Sequence, residues 1–497
     1  MRNFLFKKYD SGEWLEKNKL LIVYIISLAY IALNAYLIVK DNYWALALPL
    51  FLVILWYYIY RLDVIILLIV GLTPLALNVV EFELGAGISI PTEPLLFGVL
   101  VIFVLKLFYH NDFDPKIWRH PMSVVILIQL GWLLLTSITS QVPLVSFKYL
   151  LSRLWFVIPM FFMAIPLFKN LKNIRRFIWL YAVPLAGVIF YTLYQHYKLG
   201  FDEEAGHWVM SPFFNDHTVY GAILAMFVPV FTAFSFSKAY SKTHRFFSFI
   251  ILAILLVALF FSYCRAAWVS LAAALIIYFI VLFKIRFKWI AVGLVGLVMV
   301  FYVFQNEIFD VLERNKQGTS GNFIEHVQSI SNISTDASNL ERINRWQSAI
   351  RMYKDRPVFG FGPGTYQFEY APYQLSQEKT EISTNAGDRG NAHSEYIGPL
   401  AETGLPGMLL VITIVITMIV VGMNNYRKAE SREVKVLSLA VTLGLITYFL
   451  HGLMNNFLDT DKASIPVWGF IAMLVSMNLY SLKSAAKEKE EEKKEEN

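Results

Sequence analysis

Cysteine and charge are what this chain of 497 residues has least of. Cys264 is its one cysteine, so no intrachain disulfide staples the fold, and the redox compartment is not readable from it. Asp, Glu, Lys and Arg make up 16% of the residues, against about 25% in ordinary soluble proteins, which excludes a typical soluble globular domain. No histidine pair stands at helical ligand spacing among acidic residues, so no metal site and no cofactor is expected. The Gly-x-Ser-x-Gly elbow of a serine hydrolase is absent. Gly360-Phe-Gly-Pro-Gly364 lacks the Gly-Lys-Ser/Thr ending of a phosphate loop. A cleavable signal peptide is also missing: the first apolar run is too long for one, and no small-residue cleavage site follows it.

What the chain has instead is apolar sequence, 57% of its residues, gathered in blocks. Leu20 to Val39, Met122 to Thr139, Ala291 to Phe304 and Leu405 to Met423 are nearly free of charge. A helix needs about 17 to 25 such residues to cross about 30 Å of hydrocarbon. The pattern predicts an all-α integral membrane protein with 12–14 transmembrane helices. Spans are expected near 20–39, 44–60, 62–79, 95–109, 122–140, 149–168, 177–196, 217–236, 247–263, 267–283, 289–305, 405–423, 436–455 and 464–482. Basic residues gather in alternate short loops, at Lys169 to Arg176, Lys238 to Arg245, Lys284 to Lys288 and Arg427 to Lys435. Positive charge stays on the cytoplasmic side, so the net charge of +6 is a topology signal rather than a mark of nucleic-acid binding, and both termini are expected in the cytoplasm.

Four regions follow: a transmembrane bundle over 1–304, an extracytoplasmic loop or cap over 305–392, C-terminal transmembrane helices with a re-entry motif over 393–482, and a charged cytoplasmic tail over 483–497. In the cap, Ser338 is placed to begin a helix ending near Tyr353, with Leu340, Ile343, Trp346, Ile350 and Met352 as its apolar stripe. Gly360 to Gly364 then makes a tight turn.

Three cations depart from the positive-inside pattern: Arg153 within a span, Lys148 five residues before it, and Arg265 at the junction of two spans. An arginine inside a span is costly and ordinarily faces a cavity or a partner. Snorkelling or a structural ion pair is the plain reading. The functional one is a permanent cationic site for phosphate, which a guanidinium fork suits. The re-entry stretch Asn391-Ala-His-Ser-Glu-Tyr-Ile-Gly-Pro-Leu-Ala-Glu-Thr-Gly-Leu-Pro-Gly407 puts His393 at its start and a helix break at Gly404 to Gly407. A lone histidine is more often structural, yet imidazole accepts a proton at neutral pH. Glu395 and Glu402 stand as packing or acceptor contacts, with Glu402 on the helix face opposite His393. Arg342, Arg345 and His217 are further possible substrate contacts; solvated charge is the plainer reading of the two arginines.

These residues together resemble the O-antigen ligase and polymerase superfamily. His393-Ser394, nine residues, then Gly404-Leu-Pro-Gly407 fits its His-(Asn/Ser/Gln)-x9-Gly-x-x-Gly pattern. Glu341-Arg-Ile-Asn-Arg-Trp346 followed by Arg356-Pro-Val-Phe-Gly-Phe-Gly-Pro-Gly364 is similar to its Arg…Trp helix and glycine-rich turn. Ser262-Tyr-Cys-Arg-Ala-Ala-Trp268 resembles its Ser-x-Ser-Arg segment, with Cys264 in place of the second serine and Val269 where a leucine is common. The resemblance implies a fold like the lipid-dependent GT-C glycosyltransferases and a metal-independent, inverting transfer. The donor would be a polyprenyl-diphosphate-linked glycan, used at the periplasmic face of the bacterial inner membrane. It further implies that Arg265 and Arg153, with Lys148 nearby, hold the diphosphate while His393 acts on the acceptor hydroxyl. Lipid A core is the first acceptor expected. A second glycan repeat (a polymerase) or a protein hydroxyl (an O-oligosaccharyltransferase) is the alternative, and a lipid-linked sugar transporter is the reading from a different class. Membrane lipids are the remaining partner, and nucleic acid is not one.

Overall fold

The structure, a computed structural model, describes residues 11–79, 88–109, 114–285, 337–379, 383 and 390–482. The expected span 289–305, most of the insert before 337 and the tail 483–497 lie outside the described residues. By its internal contacts the chain divides into residues 1–65 and residues 66–497.

The smaller unit holds α1 (Ser11–Val39) and α2 (Leu48–Tyr60). The Tyr30 hydroxyl donates to the Ala45 carbonyl at 3.0 Å across the turn between them. The division falls within α3 (Leu62–Leu72).

Among its described residues the larger unit has helices and one pair of antiparallel strands, β1 (Leu77–Val79) and β2 (Ile88–Ile90). The apolar run expected to cross at 62–79 therefore ends as helix at Leu75 and finishes as β1, where Pro74 and Asn78 interrupt it. After β2 come α4 (Thr92–Tyr109), the single turn α5 (Pro115–Trp118), α6 (Pro121–Ile138) and α7 (Pro143–Val157). A wide turn at Ile158–Phe162 joins α7 to α8 (Ala164–Leu167), and the three together make one crossing of 25 residues. Next are α9 (Leu171–Lys198), α10 (His217–Phe236), α11 (Lys242–Phe260) and α12 (Arg265–Leu282). The insert contributes α13 (Ala337–Asp355) and the turn α14 (Tyr366–Glu369), and the chain returns through α15 (Ile397–Lys428), α16 (Arg432–His451) and α17 (Asp461–Ser476). Among the described residues eleven helices are long and apolar enough to cross a membrane. This is an all-α multi-pass membrane protein.

Polar residues mark where these helices begin. The Asp216 carboxylate accepts from the backbone N–H groups of Thr218 (2.7 Å) and Val219 (3.1 Å), and Ser241 and Asn170 cap α11 and α9 in the same way. A helix that is apolar all round belongs inside. That is where α10, α16 and α17 sit, with 78%, 78% and 83% of their residues buried, while α12 at 17% is peripheral.

The insert's helix α13 packs on a small core of Ala349, Met352, Phe361, Tyr366, Tyr370, Ala392 and Ala401. Its inward face is not the apolar stripe expected from the sequence: Ile343 is 38% exposed, while Glu341, Asn344, Arg345 and Ser348 are buried beside Ala349 and Met352. The face is polar because the loop it covers offers partners. Arg345 donates to Glu341 at 2.8 Å and to the Asn391 carbonyl at 3.1 Å, Asn344 donates to Gln374 at 3.0 Å, and the Ser348 hydroxyl donates to the Asn344 carbonyl at 2.9 Å. The helix starts at Ala337, so Ser338 lies in its first turn rather than before it.

Within α15 the backbone leaves helical geometry at Gly404, with φ 71° and ψ −175°. The chain therefore breaks at Gly404, as the sequence implied: a short helix from Ile397 ends there and the span restarts directly after it. The turn at Gly360 to Gly364 docks into the bend: Phe361 and Gly362 donate their N–H groups to the carbonyls of Ala401 (3.1 Å) and Glu402 (2.8 Å), and Leu405 N–H reaches the Pro357 carbonyl at 2.9 Å. A Cβ at Gly404 would meet the Val358 carbonyl in a left-handed backbone. Gly404→Ala is therefore expected to destabilise the protein by about 1–3 kcal/mol and to lower its melting temperature in detergent. Gly131→Ala, where an added Cβ meets nothing, is expected to leave it level or raise it. A melting temperature unchanged by Gly404→Ala rules out this account of the bend.

Candidate active site

His393 sits where the insert re-enters the bundle, and its position is built from local hydrogen bonds. Its own N–H donates to Asn391 Oδ1 at 3.0 Å, a turn that holds the residue at φ 47°. Such a conformation is uncommon for a residue with a side chain and is kept only where neighbours over-determine it. Ser394 then accepts from the N–H groups of Tyr396 (3.3 Å) and Ile397 (3.2 Å) and so opens α15. The adjoining His393-Ser394 pair thus delivers an imidazole on the residue before a helix cap.

Glu395 is 7% exposed. Its N–H donates to the Gly452 carbonyl at 2.8 Å. Its Oε1 accepts from the Tyr448 hydroxyl (2.8 Å) and from the backbone N–H groups of Phe457 (2.7 Å) and Leu458 (3.0 Å). The carboxylate clamps the turn between α16 and α17 onto the His393 segment. Arg153 reaches the same turn from α7, donating to the Leu458 carbonyl at 3.1 Å and to the Tyr149 hydroxyl at 2.6 Å. The residue that follows Leu458 is Asp459, an exposed carboxylate lining two cavities. Burial pushes the carboxyl of Glu395 above its ordinary pKa, and the charge of Arg153 pulls it back.

The first cavity, of about 210 Å³, holds Arg153, Glu395, Glu402 and Asp459 among its walls. The second, of about 280 Å³, shares Asn391, Asn456 and Asp459 with it and adds Asp216, Asp461 and Lys462. Lys462 turns its ammonium to the carbonyls of Thr73 (2.5 Å) and Ala76 (2.7 Å). Asp461 accepts the hydroxyls of Ser89 (3.1 Å) and Thr92 (2.6 Å).

A separate group of charges surrounds His393. Burial first, then the positive charges of Arg345 and Arg342, hold its imidazole down to about 4, with Asp216 and Glu341 acting the other way. At neutral pH it is therefore uncharged and able to accept a proton. Arg342 stands within electrostatic reach of His217, Cys264 and His451 as well. Cys264 Sγ lies 3.4 Å from His451 Nε2, and Arg265 is the first residue of α12 directly after it. The structure thus brings His393, Arg342, Arg345, His217 and the start of α12 to one end of the bundle. The His217 ring stacks on His207 with centroids 4.2 Å apart.

The other expected residues divide. Arg153 is brought together with Glu395 and Glu402 rather than with the cations around His393. Lys148 is an exposed residue of α7 beside Tyr149. Glu402 accepts from the Tyr366 N–H at 3.1 Å and faces the first cavity, so it does not orient the imidazole, as its helix phase implied. Sequence reasoning passed over Asp216, Asp459 and Trp468. Asp216 and Asp459 read as ordinary polar residues just before spans, and Trp468 reads as span filler. Among the described residues no three His, Cys, Asp or Glu side chains are grouped as metal ligands.

Comparison with known proteins meets this geometry. A protein of Haemophilus influenzae, described only as uncharacterized, is 26% identical over 348 residues, which cover 65% of this chain and 77% of that one. Residues 249–412 match the family described as O-Antigen ligase. That stretch runs from α11 through Arg265, α13, His393 and the bend at Gly404, and over it this membrane protein is similar to the O-antigen ligase family.

Proposed function

We propose that this protein transfers a glycan from a polyprenyl-diphosphate carrier to an acceptor hydroxyl at the periplasmic face of the bacterial inner membrane, with lipid A core as the acceptor. The observation that carries the reading is the placement of the half-buried His393 imidazole within the field of the Arg342 and Arg345 guanidinium groups, at the same end of the bundle as Arg265.

The chemistry asks for little else. A glycosyl diphosphate already bears a good leaving group, so negative charge grows on the departing diphosphate while the acceptor hydroxyl loses a proton. Fixed cations in a low-dielectric setting stabilise the first change without reorganising. Arg265, Arg342 and Arg345 fill that role. His393 takes the proton of the attacking hydroxyl. The bond from the anomeric carbon to the diphosphate oxygen breaks as the bond to the acceptor oxygen forms, which inverts the anomeric centre and leaves polyprenyl diphosphate. Binding of the anionic donor also offsets the guanidinium charges that hold the imidazole's proton affinity down. The base therefore strengthens when the donor arrives.

Replacing His393 with Ala is expected to lower kcat roughly 10²–10⁴-fold in a purified transfer assay, with donor binding retained. Transfer at the wild-type rate by a stably folded variant contradicts the role. Because the free imidazole gains its proton only as pH falls toward about 4, kcat/KM is expected to stay level between about pH 7.5 and about pH 5.5. An ordinary histidine near about 6.5 would lose most of its base form across that window. A decline with a midpoint there speaks against a depressed imidazole as base.

Activity is expected to persist in chelator, the arginines standing in for a divalent ion. Complete loss that magnesium or manganese restores overturns that assignment. Offering lipid A core, a second lipid-linked repeat and an exported protein together to one donor decides the acceptor: transfer to either of the last two alone replaces the ligase reading.

A further inference from the structure

The first cavity is unlike the group of charges around His393. Its charged walls are three carboxylates, Glu395, Glu402 and Asp459, against the single guanidinium of Arg153. A phosphate placed there meets carboxylates on several sides, and two N–H groups of Arg153 already serve Leu458 and Tyr149. Arg153 acts here as the counter-charge to these carboxylates, of which Glu395 is buried.

The same walls hold polar atoms with nothing to bond. Trp468 is 2% exposed, and its indole N–H has no partner among the described residues. Gln129 Oε1 and Asn456 Oδ1 are likewise shut from solvent and without partners there, and both residues line the cavity. By contrast Trp132, on the same wall, donates its indole N–H to the Thr403 carbonyl at 2.9 Å. Leaving buried donors and acceptors unmade is costly, so the set points to a ligand that donates and accepts at once. Hydroxyl groups do both. Aromatic rings from Tyr149, Tyr366 and Trp468 stand on the walls to cover apolar faces.

We infer that this cavity is a subsite for a neutral, hydroxyl-rich pyranose of the glycan, and that it excludes sugars carrying a carboxylate or phosphate. The inference rests on the proposed function and adds a substrate class to it. The pyranose belongs either to the donor glycan or to the acceptor; both present the same hydroxyls.

The test uses the full chain in phospholipid nanodiscs, with maltotriose and trigalacturonate as probes followed by saturation-transfer NMR. Maltotriose is expected to bind at least about tenfold tighter than the uronate, a preference worth about 1.4 kcal/mol. Trp468→Phe, which keeps the ring and removes the N–H, is expected to weaken maltotriose about fivefold to tenfold. Asp459→Asn, which removes one carboxylate at an exposed position, is expected to narrow the preference about threefold or more by admitting the uronate. Displacement of maltotriose by a polyprenyl-diphosphate glycan assigns the subsite to the donor, and displacement by lipid A core assigns it to the acceptor. Equal binding of the two probes overturns the inference, as does a preference that neither variant changes. Glycan transfer is measured in parallel: a protein that keeps the preference but transfers nothing supports this subsite and refutes the proposed function alone.

Discussion

One carboxylate oxygen ties this end of the bundle together. Oε1 of Glu395 takes three hydrogen bonds, two from backbone N–H groups of the turn between α16 and α17 and one from Tyr448. These bonds satisfy two backbone donors of the turn at 457–458, and a buried N–H left unmade costs about as much as a hydrogen bond gains. With Glu395 in place, two otherwise independent pieces of chain are held in register. His393 lies two residues before the clamp and Asp459 one residue after it. The His393 imidazole and the carboxylate shared by both cavities are therefore positioned by the same bonds, and Arg153 reinforces them by donating to the Leu458 carbonyl.

The second constraint is the bend at Gly404. A straight helix from Ile397 would present its carbonyls only to its own next turn. The glycine opens it so that the carbonyls of Ala401 and Glu402 receive the turn at Phe361 and Gly362. The spacing between His393 and Gly404 then has a physical meaning: a short turn and about two helical turns, from Ile397 to Thr403, separate the histidine from the glycine at which the cap docks. Gly407 completes the motif by leaving space for the Thr403 side chain, whose hydroxyl returns to the Pro399 carbonyl at 2.8 Å.

How far the sequence foretold this depends on which force each residue answers to. Spans were legible because burial in lipid leaves a one-dimensional trace, and helices such as α10 and α16 stand within a few residues of where hydropathy put them. The run at 62–79 was overread because hydropathy does not weigh Pro74 or the pairing of Leu77–Val79 with β2. The inward face of α13 was misread by about one residue, since an apolar periodicity count ignores a buried face made of Glu341, Asn344, Arg345 and Ser348 that pairs with its own loop. His393 and the glycines were legible through their spacing. Asp459 was not, because its significance comes from two turns of chain meeting through Glu395, a contact across 63 positions that no local pattern records.

Charge is segregated at this end of the molecule, and the segregation decides what each part can bind. Around His393 the guanidinium groups of Arg342 and Arg345 dominate and depress the imidazole. Around Arg153 the carboxylates dominate. Interactions between such groups are several times stronger at an effective dielectric of about 20 than in water, so each region acts strongly on the charge of whatever enters it. Asp216 stands between them, lining the second cavity while reaching electrostatically to His393 and His451. A ligand with an anionic diphosphate at one end and uncharged hydroxyls at the other matches this division in only one orientation: the diphosphate toward α13 and the start of α12, the hydroxyls toward α7 and α17. Reversal would set the diphosphate against three carboxylates and leave the arginines facing groups that carry no charge. On the proposed function, the same fields that would favour binding would also choose which bond of the donor is presented to the imidazole.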